Sequence, residues 1–279
     1  MNYSDFNKIV FNNIKDFDPV HIFECGQVFR WLPEDGSYGK SYTGVCGSYA
    51  ARVSYDDGTL VIEANGGDRD FWSRYFDLNT DYTEIKDCLI KNEPKIKEAT
   101  EYGCGIRILN QDIFETIISF IISQNNNIPR IRKNIESICE RYGESIAEIE
   151  GKTIYAFPTP EALANARVDD LAALKLGYRS AYIKESSREF LQDGCPECRE
   201  DLIAMHGIGP KVANCIMLFG LGDVAAFPVD TWVRHIMNDM YGFSENDSKG
   251  MMEFAREKFG DYAGYAQQYL FYYYREKGK

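Results

Sequence analysis

The chain has 279 residues and a formal net charge of −12, with 44% hydrophobic and 14% aromatic residues. That content excludes a disordered chain and supplies a core for one large domain or two modest ones. The acidity counts against a non-specific nucleic-acid binder, and no apolar run approaches the roughly 20 residues that span a bilayer. The first stretch, MNYSDFNKIVFNNIKDF, mixes polar and apolar residues without a signal-peptide layout. A cytoplasmic location is expected.

Residues 20–64 read as antiparallel strands. HIFECGQVFRWL, KSYTGVCG, YAARVSY and TLVIEA are rich in aromatic or β-branched residues and are split by EDGSYG, a glycine turn and DDG. From residue 68 the alternation stops, and DRDFWSRYFDL and YTEIKDCLIKNEPKIKEAT take helical spacing. Asn110-Gln111-Asp112 starts a helix, IFETIISFIIS, that is apolar nearly all round and so buried. PRIRKNIESICERYG, the stretch opened by Thr159-Pro160-Glu161, VDDLAALKLG, SAYIKESSREFLQDG, SENDSKGMMEFAREKFG and YAGYAQQYLFYYYREK continue the helical character. The expected fold class is α+β: a twisted antiparallel β-sheet domain over residues 1–100, then an α-helical bundle over 101–279 containing a helix-hairpin-helix turn at 205–211.

The strongest chemical signal lies in LIAMHGIGPKVANCIMLFGLGDVAAFPVDTWVRH, residues 202–235. Gly207 and Gly209 permit a tight helix-to-helix turn, and Pro210 suits the first helical position. Such a turn aims backbone N–H groups and a positive helix end outward, a cradle for a phosphate. Lys211 sits beside it, and Asp230 follows Pro228 at the start of another helix. The amine would attack an electrophilic carbon if burial lowers its pKa, and the carboxylate would stabilise a developing cation. The bland alternative is a surface lysine and an ordinary N-capping aspartate.

Other features carry two readings each. Asn125-Asn126-Asn127 would cap and turn a helix end, or offer neutral donors and acceptors to a duplex. Tyr178 and Arg179 follow a helix stop at Gly177 and would be solvated or would face a ligand. Gly26, taken as lying in the sheet, would mark a bulge or a close approach to the backbone. Gln267 and Phe271 are one turn apart on the last helix, within an aromatic stripe that is more often core. Cys215 is one turn after Lys211. The eight cysteines are scattered, and Cys195-Pro196-Glu197-Cys198 has no second pair to build a zinc ribbon.

MHGIGPKVANC, the downstream PVD, QNNNIPR, LGYR, CGQVFRW and YAGYAQQYLF together resemble the helix-hairpin-helix base-excision DNA glycosylases, specifically the 8-oxoguanine DNA glycosylase branch. The resemblance implies a bifunctional glycosylase and abasic-site lyase that excises 8-oxoguanine opposite cytosine through a Lys211 Schiff base, with Asp230 stabilising the sugar cation. It implies that the Gly26 carbonyl accepts N7–H of the lesion, Gln267 reads its Watson–Crick edge, and Phe271 stacks on it with Cys215 on the other face. Asn125 would fill the vacated space, Tyr178 would wedge into the duplex, and Arg130 and Arg179 would read the orphaned cytosine. Gly207, Gly209 and Lys211 would hold the DNA phosphate. The expected partner is double-stranded DNA carrying an oxidised guanine, bound by a monomer in a prokaryotic cytoplasm.

No catalytic cofactor and no metal is implied, although a monovalent cation would fit hairpin carbonyls around Gly207 and Gly209. The iron–sulfur cluster of some relatives is absent, since no cysteine follows Cys215. Trp232 departs from the family's usual His two positions after the aspartate. A monofunctional glycosylase for another damaged base, using water, and a non-catalytic DNA-binding protein are the other readings.

Overall fold

Short polar turns set the strand order of the N-terminal part. In the computed structural model, which describes residues 2–37 and 39–277, β1 (Asn7–Phe11) is followed by α1 (Pro19–Glu24), β2 (Trp31–Pro33), β3 (Ser41–Cys46), β4 (Tyr49–Asp56) and β5 (Thr59–Ala64). The five strands form one antiparallel sheet in the order β1-β5-β4-β3-β2. Asp57 and Gly58, both at positive φ, close the β4–β5 hairpin as the DDG signal predicts. Leu60, Ile62 and Ala64 alternate inward with Ala51 and Val53 of β4 and pack on Phe23, Trp31, Tyr42, Trp72 and Phe76.

Two expectations fail here. HIFE is helix rather than strand, because Asp18 caps it by accepting from Val20 N at 2.8 Å and Pro19 sits in its first turn. Cys25–Arg30 is consequently an irregular connection, and Gly26 lies in that connection rather than in the sheet. β1 falls in the stretch read only as mixed polar and apolar; it pairs with β5 from Asn7 opposite Ala64 to Phe11 opposite Leu60.

Helices follow: α2 (Arg69–Tyr75), α3 (Tyr82–Asn92), α4 (Lys97–Tyr102), α5 (Ile113–Ser123) and α6 (Ile128–Tyr142). A hairpin that the sequence reading passed over, β6 (Ser145–Ile149) with β7 (Lys152–Tyr155), interrupts them. Then come α7 (Pro160–Asn165), α8 (Val168–Ala173), α9 (Arg179–Asp193), α10 (Arg199–Ala204), α11 (Pro210–Phe219), α12 (Thr231–Tyr241), α13 (Ser248–Phe259) and α14 (Ala263–Lys277). Helix α5 is buried all round, as its sequence requires. Among the described residues no helix is long and apolar enough to cross a membrane.

The connection after α1 joins two cores. Phe23, Val28 and Trp31 belong to the core beneath the sheet, whereas Cys25 and Phe29 belong to the helical core. Gln27, buried between them, donates to Arg107 O at 2.7 Å and Ile22 O at 3.0 Å and accepts from Leu109 N at 2.9 Å. Arg107 reaches the other way, donating to Lys15 O, Asp16 O and Asp77 O at 2.6–3.0 Å over the Tyr82 ring. An Arg107→Ala substitution strands these carbonyls and should cost about 3 kcal/mol. Calorimetry should show Tm falling by roughly 6–12 °C; an unchanged Tm would show that the clamp is dispensable.

Candidate active site

Five chain segments converge on one cavity of about 370 Å³. The Cys25–Gly26 connection, the Asn126–Ile128 turn, the start of α11 with the Pro228–Trp232 stretch, and one face of α14 all line it. Each is positioned by local chemistry. Gly207, at φ +80°, admits the α10–α11 turn, and a β-carbon there would lie 2.5 Å from the Tyr182 ring. Pro210 opens α11, so Lys211 projects from its first turn and Cys215 from the next. Among the described residues, nothing beyond its own neighbours in the chain and helix lies within 4 Å of a β-carbon built at Gly209, which leaves that cap open to an outside group. Asp230 is the N-cap of α12, and its Oδ1 accepts from Val233 N at 2.8 Å. The N-cap reading of Asp230 holds, and the cap fixes the carboxylate on the cavity wall.

Lys211 and Asp230 face this cavity together without closing an ion pair. Burial pulls the Lys211 pKa down, but Cys215 and Asp230 outweigh it and leave the amine above its ordinary value. That corrects the expectation of a lowered pKa: burial acts in the expected direction, but the neighbours overcome it. The Cys215 part of this balance needs a thiolate, and burial pushes that thiol up as well. Near neutrality Asp230 is the counter-charge. Burial raises its own pKa against the Val233 N–H and Lys211.

The residues expected to read a base meet at the same place. Gln267 is 4% exposed, and its Oε1 is buried without a hydrogen-bond partner. Phe271 lies one turn further along α14 on the cavity wall. Gly26, at φ +84°, lies against it, with a built β-carbon 3.4 Å from the Phe271 ring. The carbonyls before Gly26 are engaged, Glu24 O by Arg275 Nη2 and Cys25 O by Gln268 Nε2. The sequence reading missed Arg275, a buried cavity residue. Its signal was the i, i+4, i+8 helix face that it shares with Gln267 and Phe271.

The remaining candidates form a neighbouring cluster. The three asparagines divide their work: Asn126 Nδ2 donates to Ile122 O at 3.0 Å, Asn127 caps α6 through Arg130 N at 3.0 Å, and Asn125 is exposed at φ +47°. Asn125 Nδ2 lies 3.4 Å from Tyr178 Oη, and Tyr178 is 49% exposed. Arg179 is buried; its guanidinium lies 4.6 Å from the Tyr178 ring and donates to Gln124 O, Asn125 O and Leu176 O. Arg130 is exposed beside Lys175 O at 3.4 Å. Arg130 is thus held only by that long hydrogen bond to Lys175 O, whereas Arg179 ties down the Asn125 turn. Trp232 is 39% exposed at the cavity edge.

Among the described residues no group of three or more His, Cys, Asp or Glu side chains is placed to hold a metal ion. Gly207 O accepts from Gln124 Nε2 at 2.8 Å and Gly209 O from Ala213 N at 2.9 Å. A second cavity, about 430 Å³, is lined by Glu189, Asp193, Glu197 and Asp201. Its carboxylates would repel a polyanion, and it contains neither Lys211 nor Asp230.

A carboxyl whose pKa is higher folded than unfolded opposes the fold once pH exceeds both values. Asp230 lies above the ordinary 3.8, so Asp230→Asn, which keeps a cap acceptor, should raise Tm at neutral pH. A lowered Tm would contradict the buried-charge account.

The chain matches the 8-oxoguanine DNA glycosylase N-terminal domain over residues 9–117 and the HhH-GPD superfamily base excision DNA repair protein model over residues 118–261. It is 34% identical to a probable N-glycosylase/DNA lyase of Methanothermobacter thermautotrophicus, covering 73% of this chain and 72% of that one. It is 30% identical to the N-glycosylase/DNA lyase of Saccharomyces cerevisiae, covering 95% and 85%. It also superposes on the Clostridium acetobutylicum 8-oxoguanine glycosylase/lyase bound to duplex DNA with cytosine opposite the lesion, with TM-score 0.91 and 39% identity over 98% and 97% of the two chains. This chain belongs to the HhH-GPD superfamily of base-excision DNA repair proteins, in the branch that carries the 8-oxoguanine DNA glycosylase N-terminal domain.

Proposed function

We infer that this enzyme is a bifunctional DNA glycosylase and abasic-site lyase that flips 8-oxoguanine, opposite cytosine, into the cavity above Lys211. The observation that carries this is the meeting of a half-buried amine, a half-buried carboxylate and an unpartnered Gln267 Oε1 in one cavity. A base excised from a duplex must leave the stack, and an open pocket with unmet polar groups selects it. The sheet domain (1–100) contributes Cys25, Gly26 and Phe29, and the helical domain (101–279) contributes the rest of the site.

In this reading the Lys211 ammonium loses a proton to water as DNA binds, and Asp230 stays ionised and stabilises the positive charge that develops on the sugar. Neutral Nζ attacks C1′, the N-glycosidic bond breaks, and its electrons leave with the base, which gains a proton. Opening of the sugar ring gives the Schiff base; loss of a C2′ proton then expels the 3′ phosphate by β-elimination. Gly207, Gly209 and the start of α11 hold a backbone phosphate. The Gly26 carbonyl accepts N7–H of the lesion, where guanine would present a lone pair, and Phe271 and Cys215 hold the two faces of the base. Tyr178 and Asn125 fill the gap, Arg130 reads the cytosine, and Arg179 keeps Asn125 in place until the duplex engages it. The similarity to proteins named N-glycosylase/DNA lyase favours this reading over a water-using monofunctional enzyme. A prokaryotic cytoplasm remains the proposed setting, with the enzyme acting as a monomer.

Single-turnover assays on duplexes with 8-oxoguanine opposite each of the four bases test this reading. Cytosine should be fastest, and Lys211→Gln should lose at least about 1000-fold of base release, or roughly 4 kcal/mol of barrier stabilisation. Base release that survives in Lys211→Gln would make water the nucleophile. Arg130→Ala should narrow the preference for cytosine by about 5- to 100-fold; an unchanged preference would remove Arg130 from that role.

A further inference from the structure

Arg275 is the one charged residue of the α14 face that enters the cavity, and the mechanism above gives it no task. It is 9% exposed, and its fork is held on one side: Nη2 donates to Glu24 O, and Nε lies 3.1 Å from Glu276 Oε1. Its Nη1 is buried and has no hydrogen-bond partner. That nitrogen lies 3.4 Å from where a Gly26 side chain would begin, beside the Phe271 ring, and the guanidinium carbon is 5.2 Å from the ring centre. A buried donor left unmatched costs stability unless a ligand supplies the acceptor.

The spacing along α14 selects that acceptor. Gln267, Phe271 and Arg275 are successive turns of one face, so about 12 Å of helix separates the first from the last, with Phe271 midway. A purine stacked on Phe271 with its Watson–Crick edge toward Gln267 directs its imidazole edge toward Gly26 and Arg275. On 8-oxoguanine that edge carries N7–H and, next to it, the C8 carbonyl oxygen. We propose that Arg275 Nη1 donates a hydrogen bond to that C8 oxygen, so that the enzyme reads both atoms altered by the oxidation, N7–H through the Gly26 carbonyl and O8 through Arg275. Undamaged guanine presents C8–H to the guanidinium and leaves it unmatched. This assignment rests on the base-excision reading above.

The test compares wild type, Arg275→Gln and Arg275→Lys in two single-turnover reactions: excision of 8-oxoguanine opposite cytosine, and cleavage of a duplex carrying a ready-made abasic site. Abasic DNA has no base, so a fault in folding or in the Lys211 chemistry slows both reactions, whereas loss of base reading slows only the first. Arg275→Gln should slow excision by about 10- to 100-fold, with Arg275→Lys recovering part of it and abasic cleavage staying within about twofold of wild type. The ratio of affinities for 8-oxoguanine and guanine duplexes, measured with a non-hydrolysable sugar, should fall in parallel. Excision by Arg275→Gln at the wild-type rate, or equal loss of both reactions, overturns the proposal. A wild-type enzyme that cuts abasic DNA but leaves 8-oxoguanine in place would instead overturn the substrate reading itself, and this proposal with it.

Discussion

Holding a lysine and an aspartate charged beside apolar walls is the constraint on which the rest of this structure depends. Phe29, Phe120, Phe219 and Phe271 line the same cavity as Lys211 and Asp230. Burial acts against both charges, and each is the other's compensation. A closed salt bridge would remove that tension and with it the nucleophile. The fold instead keeps the groups on separate helix starts, one after Pro210 and one as the cap of α12. A reacting sugar can then enter between the amine and the carboxylate, and stability given up at such a site is common in enzymes.

The sheet domain matters to that chemistry through a single short connection. Gly26 would be useless in a free-standing sheet, because the helix that carries Gln267 and Phe271 belongs to the other core. Gln27 and Arg107 lock the two together through backbone carbonyls, and Gln268 grips Cys25 from α14. Placement of the Gly26 carbonyl is therefore a property of the whole chain. On the proposed reading, specificity for the base then depends on the packing of two cores, while the catalytic groups come from helix starts and one helix face.

Much of this was legible from residue order. The Gly207-Ile208-Gly209-Pro210 turn, the Lys211–Cys215 spacing and the Gln267–Phe271 pair are local patterns, and local patterns survive without knowledge of the fold. The errors were of two kinds. Asp18-Pro19 is a helix start that was overlooked because His21-Ile22-Phe23 alternates like a strand, and tertiary packing decided between them. The β6–β7 hairpin turns at Glu150-Gly151, both at positive φ, where Asn or Asp would have been the usual signal. The hold of Arg275 on Glu24 O and the approach of Asp230 to Lys211 depend on long-range geometry, which no spacing rule supplies. Arg179 adds a contact that residue order does not show: beside the position expected to read the orphaned base, its hydrogen bonds fasten the Asn125 loop.

The central claim is that Lys211 Nζ becomes covalently joined to the sugar of an excised 8-oxoguanine. Borohydride reduction during reaction with a duplex carrying one 8-oxoguanine opposite cytosine tests it most directly. The account predicts a stable protein–DNA adduct that requires the lesion, is absent with undamaged duplex, and is lost in Lys211→Gln. Base release without any trapped adduct, leaving strands that break only in alkali, would contradict it and make Lys211 a DNA contact.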